Sequence, residues 1–316
     1  MNTAATLFLA FPAVFIISLL FEGVDRKVHA RMQKRIGPPI IQPFYDFIKL
    51  FNKERIVPVT ASSRIFTAMP LVAAAASILG AAIPLSNIIT ETSIVGDLIL
   101  VLYLLAMSSI ALMVGGSSSG NPYGAIGFSR KMSMVIAYEV PMLIAIVSLA
   151  FNPCHSLTIY DVVWTQIKMR SPLAFSYLSG AVAATAFLLC IPAAAMAVPF
   201  DIPEAKTEVV HGILVEYGGP YLALIKLAKA TSSFALTFLV VTLFFYTPAL
   251  FEGYVSLGHG GNLLLCLATA LAFMLLTITV PRTVFARLKI GQAFKFYWII
   301  PLMLSVASVV LSVLGL

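Results

Sequence analysis

Eight runs of about 20 apolar residues, near 3–22, 70–90, 97–115, 132–151, 176–198, 228–247, 263–281 and 296–316, govern what this chain can become. Each matches a hydrocarbon layer about 30 Å thick. In such a layer only a helix or a closed barrel satisfies every backbone amide and carbonyl internally. With 60% hydrophobic residues, 10% charged residues and a mean hydropathy of +0.99, a soluble fold is excluded. The expectation is an all-α polytopic membrane protein: a single membrane domain over residues 1–316, with about eight transmembrane helices and an amphipathic interfacial helix. The first run has no basic leader and no small-residue cleavage site, and charged sequence from Asp25 follows it directly. It therefore reads as a retained helix rather than a removed signal.

Lysine and arginine fall on alternate loops: nine in residues 23–68, two in 116–131, three in 199–229 and four in 282–295, against Lys168 and Arg170 on the opposite side. The positive-inside rule places those four basic loops in the cytoplasm and both termini outside, in the cytoplasmic membrane of the cell. The net charge of +7 follows from that topology and from anionic lipid, so the bilayer, not nucleic acid, is the partner it implies. Cys154, Cys190 and Cys266 lack C-x-x-C spacing, and Walker, dinucleotide-binding, zinc-protease and nucleophile-elbow motifs are absent. No metal or cofactor is expected in this chain, and any redox or hydrolytic centre belongs to another subunit.

Charge in so apolar a chain marks where function is to be sought. The large cytoplasmic loop, 23–68, opens on Asp25 and the basic cluster Arg26, Lys27, Arg31, Lys34 and Arg35, which suits a lipid-headgroup anchor. After a Gly37-Pro38-Pro39 turn, Pro43 sits in the first turn of a helix whose Phe44, Phe47, Ile48 and Phe51 recur with helical period. Asp46, Lys49 and Lys53 lie mostly off that stripe, so this helix lies along the membrane face or docks under a partner. The second loop is Gly- and Ser-rich and leads into the run 132–151, where Glu139 falls two turns inside. There an ionised carboxylate costs roughly 2.5 to 3.5 kcal/mol. Two readings stand: a neutral glutamate that only packs, or a protonatable relay member facing a polar cavity, for which Arg130 is the partner the sequence offers.

The acidic cytoplasmic loop, 199–222, carries Asp201, Glu204, Glu208 and Glu216 in PFDIPEAKTEVVHGILVEYGG. Asp201 and Glu204 have capping-box spacing around Pro203. If one helix continues from there, Glu204, Glu208 and His211 stack on one face, where like charges raise one another's pKa and suit proton sharing. A merely solvated face is the alternative. The fourth loop, 282–295, is basic and aromatic as an interface belt is, and carries little functional signal.

Taken together these loops resemble the subunit 1 family of respiratory complex I, the proton-pumping NADH:quinone oxidoreductase, and its relatives in energy-converting hydrogenases, over essentially the whole chain. The matching elements are Asp25, Arg26, Lys27, Gln33, Arg35, Gly37 and Pro38; then Asp46, Lys49, Lys53 and Glu54; then Tyr123, Gly127, Arg130 and Tyr138-Glu139. The most specific are the PFD-x-PEA and EY-x-G elements at 199–205 and 216–219. The turn between Gly37-Pro38 and Gln42-Pro43 is short, and KLAKA, with Lys226 and Lys229, stands where quinone-reducing members carry an acid and a tyrosine. Both features are more similar to the membrane-bound nickel-iron hydrogenase branch or its sulfur-reducing relative.

The resemblance implies a non-catalytic membrane subunit that anchors a cytoplasmic electron-transfer arm and couples redox chemistry to proton or sodium translocation. It implies an ion path through Glu139, Asp201, Glu204, Glu208, Glu216 and His211. It also implies an arm-docking charge network of Asp25, Arg26, Arg35, Asp46, Lys49, Lys53, Glu54 and Arg130. The implied partners are hydrogenase-like large and small subunits, which carry iron-sulfur clusters and a nickel-iron site, and antiporter-like membrane subunits. The rivals are a quinone-site subunit of a complex I-type dehydrogenase and, from another class, a stand-alone proton-coupled transporter. The latter is disfavoured because no inverted repeat is evident.

Overall fold

The computed structural model describes residues 3–90, 92, 96–151, 154–251 and 258–315, and every regular element among them is helical. In chain order these are α1 (Thr3–Met32), α2 (Gln42–Phe51), α3 (Ser63–Thr90), α4 (Asp97–Ser117), α5 (Pro122–Phe151), α6 (Ile159–Met169), α7 (Leu173–Ser176) and α8 (Leu178–Ala194). There follow α9 (Lys206–Val209), α10 (Gly219–Phe244), α11 (Pro248–Phe251), α12 (Gly258–Met274), α13 (Val280–Val284) and α14 (Ile290–Val313). Among the described residues seven helices are long and apolar enough to cross a membrane: α1, α3, α4, α5, α10, the run Gly260–Val284 and α14. The eighth expected span, α8, has 17 helical residues and reaches about 26 Å, slightly short of a full crossing.

Helix α10 is the hub. It packs on α3, α12, α1 and α8, and 83% of its apolar window is buried, against 28% for the peripheral α14. Helix α5 lies between α14, α8 and α4. Small residues permit these close approaches, as expected where lipid gives helices no hydrophobic reason to associate. Within the membrane, Thr231 Oγ1 donates to Ser77 Oγ at 2.6 Å and so ties α10 to α3. At the end opposite the basic loops, the buried Gln166 of α6 donates to the carbonyls of Thr242 and Leu243 and accepts from the amides of Leu173 and Tyr246. It thereby satisfies the backbone where α10 terminates.

Several boundaries differ from the sequence expectation. Helix α1 continues past residue 23, because nothing breaks it until a Schellman motif in which Lys34 is left-handed (φ 58°), Lys34 N bonds Arg31 O and Arg35 N bonds Ala30 O. Asp25 and Arg26 are therefore helical, and the first loop begins at Gln33 rather than residue 23. Helix α5 starts ten residues before the apolar run. Asn121 caps it, accepting the Tyr123 amide at 2.9 Å, and Pro122 occupies its first position. The second loop is reduced to residues 118–121, and Arg130 and Lys131 belong to the helix. Conversely the apolar residues 195–198, expected to end a span, leave α8 in a turn with Met196 at φ 53°.

The expected amphipathic helix is α2, which packs on α10 and α1. Its Phe44 and Phe47 meet Phe15 edge-on at 6.3 and 5.2 Å, while Tyr45, Ile48 and Phe51 stay exposed. Asp46 fastens it, accepting from Arg26 of α1 at 2.8 Å and from Gln42 at 3.0 Å. Partial burial works against the Asp46 charge, but the Arg26 and Gln42 hydrogen bonds outweigh it and hold the carboxyl below its usual range. A depressed folded pKa contributes stability above the unfolded value, about 3.9, that is lost as pH falls through the folded one. Asp46→Asn is thus expected to speed proteolysis at Lys49 and Lys53 by up to about fivefold near neutrality, as suits a half-exposed pair worth up to ~1 kcal/mol. The difference from wild type should begin to shrink at about pH 4 and close once the pH has fallen through the lower, folded value.

Candidate functional site

The four basic loops meet at one end of the bundle. Ser62 N bonds Ser118 O at 2.9 Å, joining the first loop to the second, and Leu288 N bonds Pro199 O at 3.2 Å, joining the fourth to the third. Between them lies a cavity of about 480 Å³, lined by α1, the turn 195–198, the acidic loop, α10, the π-turn (Leu275–Thr279) that joins α12 to α13, and the fourth loop. Its wall is a set of cross-element ion pairs. Arg26 spans Glu22 of its own helix and Asp46 of α2. Asp25, 6% exposed, accepts from Thr279 Oγ1 at 2.5 Å and from Arg282 at 3.1 Å. Arg287 reaches Asp201 at 2.7 Å, and Lys229 of α10 reaches Glu204 at 2.5 Å. Lys206, Lys226 and His211 also line it.

The π-turn explains one of these contacts. An i→i+5 turn inside a helix shifts the register of the following side chains and recurs at functional sites. Here it places Thr279 against Asp25 while Ile278 faces the cavity. Desolvation and side-chain ordering offset much of what each pair gains, leaving at most about 1 kcal/mol apiece for the half-exposed ones. Their stability contribution is therefore secondary to what they fix: the mutual position of α1, α10, the acidic loop and the fourth loop.

The acidic loop does not continue as a helix. Ile202–Glu204 is a 3-10 turn, α9 is a single turn, Val210 and His211 are left-handed (φ 48° and 71°), and Gly212–Leu214 is a second 3-10 turn. The Asp201 carboxylate accepts no capping hydrogen bond from the helix start, being engaged by Arg287 instead. The capping-box reading is therefore wrong, as is the stacked row. Glu204 points inward with its side chain 12% exposed, Glu208 points outward at 49% and pairs with Arg130, and His211 is exposed at the mouth. The row fails because three successive positive-φ residues reverse the chain before a second helical turn can form. Glu216 is held apart from the cavity by the Asn121 amide at 2.6 Å.

Glycines let this loop sit directly on α4 and α5. A Cβ on Gly127 would come within 2.7 Å of Ile213 N, and one on Gly116 within 2.8 Å of Ile213 Cα. That contact sets Glu204 beside the start of α5. One turn beyond Gly127 lies Lys131, with 0% exposure and with no hydrogen bond to its Nζ among the described residues. Glu204, Lys229 and Glu139 all act on it electrostatically, and its Nζ stands 5.8 Å from the Tyr138 ring centroid. Glu139 is half-buried in α5 with neither ion pair nor hydrogen bond among the described residues, and the charge facing it is that of Lys131. Arg130, the partner expected for Glu139, is instead committed to Glu208.

Of the residues singled out from sequence, Asp25, Arg26, Asp201, Glu204 and His211 come together at the cavity, and Asp46 braces it through Arg26. Arg35, Lys49, Lys53 and Glu54 are exposed on the first loop and away from it. Glu22, Lys131, Arg282 and Arg287 were not anticipated as site residues, and the fourth loop, expected to carry little signal, supplies two of the four. The Asn-Pro pair at 121–122 is a helix-start signal that places Lys131 inside α5. Among the described residues no group of three or more His, Cys, Asp or Glu side chains is arranged to hold a metal ion, and the three thiols are free.

The sequence model of the NADH dehydrogenase family matches residues 4–313. An NADH-quinone oxidoreductase subunit of Thermomicrobium roseum is 36% identical over 241 residues, 70% of each chain. Subunit 8 of the NADH-quinone oxidoreductase of Rhodothermus marinus is 29% identical over 99% of this chain and 96% of its own. Hydrogenase-4 component C of Escherichia coli is 32% identical over 84% of this chain and 81% of its own. A solved chain of the membrane-bound sulfane sulfur reductase, an archaeal respiratory membrane complex, superposes with a TM-score of 0.86 at 30% identity, covering 99% of this chain and 100% of that one.

Proposed function

Because this chain belongs to the NADH dehydrogenase family, we propose that it is the integral membrane subunit of a respiratory membrane-bound hydrogenase or sulfur-reducing relative. In that role it anchors the electron-transfer arm on the charged loop face and couples redox chemistry there to proton or sodium translocation. The loop face is then cytoplasmic, both termini lie outside, and the membrane is that of the cell. The iron-sulfur clusters and any nickel-iron site sit in the large and small subunits docked above the cavity, with antiporter-like subunits alongside in the membrane.

The observation that carries this reading is the cavity itself. Its wall of paired charges joins four separate elements. A change of charge above it shifts which pairs are made, and Glu204 transmits that shift toward Glu139 in the membrane helix. The quinone-site alternative is supported by the Thermomicrobium and Rhodothermus relatives, which are subunits of NADH-quinone oxidoreductases, and by a volume able to admit a ring-sized headgroup. Against it stands the lining. Lys226 and the paired side chains set many charged groups among the apolar ones of the wall, where a pocket for an apolar ring places only a few polar groups.

The test is to recover the native complex through a tag on this chain, in mild detergent, and to identify its subunits and metals by mass spectrometry. An iron-sulfur subunit, a hydrogenase-like large subunit and antiporter-like subunits are expected. Recovery of the chain alone sinks the proposal. The same partners without nickel, together with protection of the cavity lysines by a short-chain quinone analogue, would shift it to the quinone reading.

A further inference from the structure

Four buried side-chain polar atoms make no hydrogen bond among the described residues, and two of them face one charge system: Lys131 Nζ, a donor, and Glu204 Oε1, an acceptor. A buried unpaired donor and a buried unpaired acceptor are each costly, and native proteins keep few of them. Their retention within electrostatic reach of one another needs an account. Glu204 Oε2 is occupied by Lys229, so Oε1 is the oxygen left to exchange. The Lys131 side chain carries its Nζ over the ring of Tyr138, the residue preceding Glu139. Glu139 lies eight residues along α5 from Lys131, about 12 Å of rise and two turns plus 80° around the axis. A lysine stem spans much of that distance, whereas no hydrogen bond joins Glu204 to Glu139 among the described residues.

We infer that Lys131 is the mobile proton carrier between Glu204 at the cavity wall and Glu139 inside the membrane helix. The inference rests on the coupling role proposed above for Glu139. A proton on the Glu204 carboxyl passes to the Lys131 amine, breaking an O–H bond and forming an N–H bond. The ammonium then gives a proton to the Glu139 carboxylate, breaking an N–H bond, forming an O–H bond and regenerating the amine. No electron is transferred within this chain. Lys229 is the gate on the first step. While it pairs with Glu204 that carboxylate is occupied, and when redox events above the cavity loosen the pair Glu204 relays the proton that Lys131 receives. The charged and titratable groups facing Lys131 are Glu204 from the acidic loop, Lys229 from α10, and Glu139 and Tyr138 from α5.

The test uses the assembled complex in inverted membrane vesicles. Reduced methyl viologen is the electron donor, with protons, polysulfide or a menaquinone analogue as acceptor, whichever sustains turnover. Viologen oxidation reports electron transfer, while a pH-sensitive dye and radioactive sodium report ions moved. Lys131→Met and Lys131→Arg are both expected to keep electron transfer while lowering ions moved per electron by tenfold or more, because arginine keeps the charge but does not release its proton. Both should also erase the limb of the coupled-rate pH profile that lies in the lysine titration range.

Wild-type ion yield in Lys131→Arg would make Lys131 a fixed charge and overturn the inference, as would wild-type yield in Lys131→Met. If the methionine variant fails to assemble, the arginine variant decides. Glu139→Gln in the same vesicles separates the two levels. Loss of coupling there with normal coupling in the Lys131 variants refutes only the carrier. Normal coupling in Glu139→Gln refutes the coupling role and the carrier with it.

Discussion

Glu139→Gln should leave the complex assembled and passing electrons while its ion translocation per electron falls on the order of a hundredfold, the scale that positioned proton-transfer groups contribute. The substitution preserves volume and hydrogen-bonding capacity, so helix packing in α5 is undisturbed. What it removes is the ability to take a proton. Glu139 has no structural partner to lose, since it forms neither ion pair nor hydrogen bond among the described residues. A carboxylate two turns inside the apolar run of α5 without such a partner costs roughly 2.5 to 3.5 kcal/mol to insert, and removing that cost makes the variant no less stable. Function and stability therefore part company at this residue. Glu139→Asp, which shortens the reach by one methylene but keeps the acid, should restore a measurable fraction of coupling. Unchanged translocation in the glutamine variant, measured with both the pH dye and radioactive sodium, would remove Glu139 from the path.

The resilience of the fold to a sequence reading, and the fragility of the site to it, share one cause. Apolar length is a local property, so spans appear over the runs near 70–90, 97–115, 228–247 and 263–281, although α3 starts seven residues before its run and α10 nine, which puts Lys226 in the helix with Lys229. The interfacial helix at 42–51 follows from its own period and its proline. The ends of helices are set by capping, and there the runs mislead. Hydropathy stops at the first charge, whereas α1 carries Glu22, Asp25 and Arg26 onward because Glu22 pairs with Arg26 one turn on, Arg26 also with Asp46 of α2, and Asp25 with Arg282, and α5 begins after Asn121 because a cap and a proline start it. Lys131 counted as loop charge for that reason alone. The acidic loop misled differently: spacing at i, i+4 and i+7 has meaning only on a continuous helix, and Val210, His211 and Gly212 are all left-handed. A β-branched residue is held in that region only by surrounding contacts, and the close seating of Gly212 on Pro203 and on Gly127, 85 residues earlier in the chain, is tertiary. Pairings such as Arg287 with Asp201 or Lys229 with Glu204 are likewise tertiary. No periodicity within either segment encodes them.

Gly212→Ala should be among the most damaging single substitutions in this chain, although it adds one carbon far from any transported ion. Gly212 adopts φ +47°, and a Cβ there would lie 2.1 Å from the Pro203 carbonyl oxygen and 3.4 Å from Gly127 Cα. The first contact is with backbone, so no rotamer change relieves it, and either the 3-10 turn at 202–204 or the one at 212–214 must move. The left-handed conformation costs a non-glycine residue about 1–2 kcal/mol, and displacing packed backbone adds about 1–3 kcal/mol. That total of about 2–5 kcal/mol falls on the segment that seats Glu204 between Lys229 and Lys131, so the loop loses its place on α5 before the membrane bundle is affected. Limited proteolysis in detergent should therefore show new cleavage at Lys206 while the long helices stay protected. In the intact complex both arm attachment and ion translocation should fall together, in contrast to the selective loss in Glu139→Gln. Val210→Gly, which relaxes a strained neighbour instead of crowding one, is expected to slow cleavage at Lys206. If Gly212→Ala leaves that site as protected as in wild type, the close seating of the acidic loop on α5 is wrong, and with it the placement of Glu204 near Lys131 on which the proposed proton path rests.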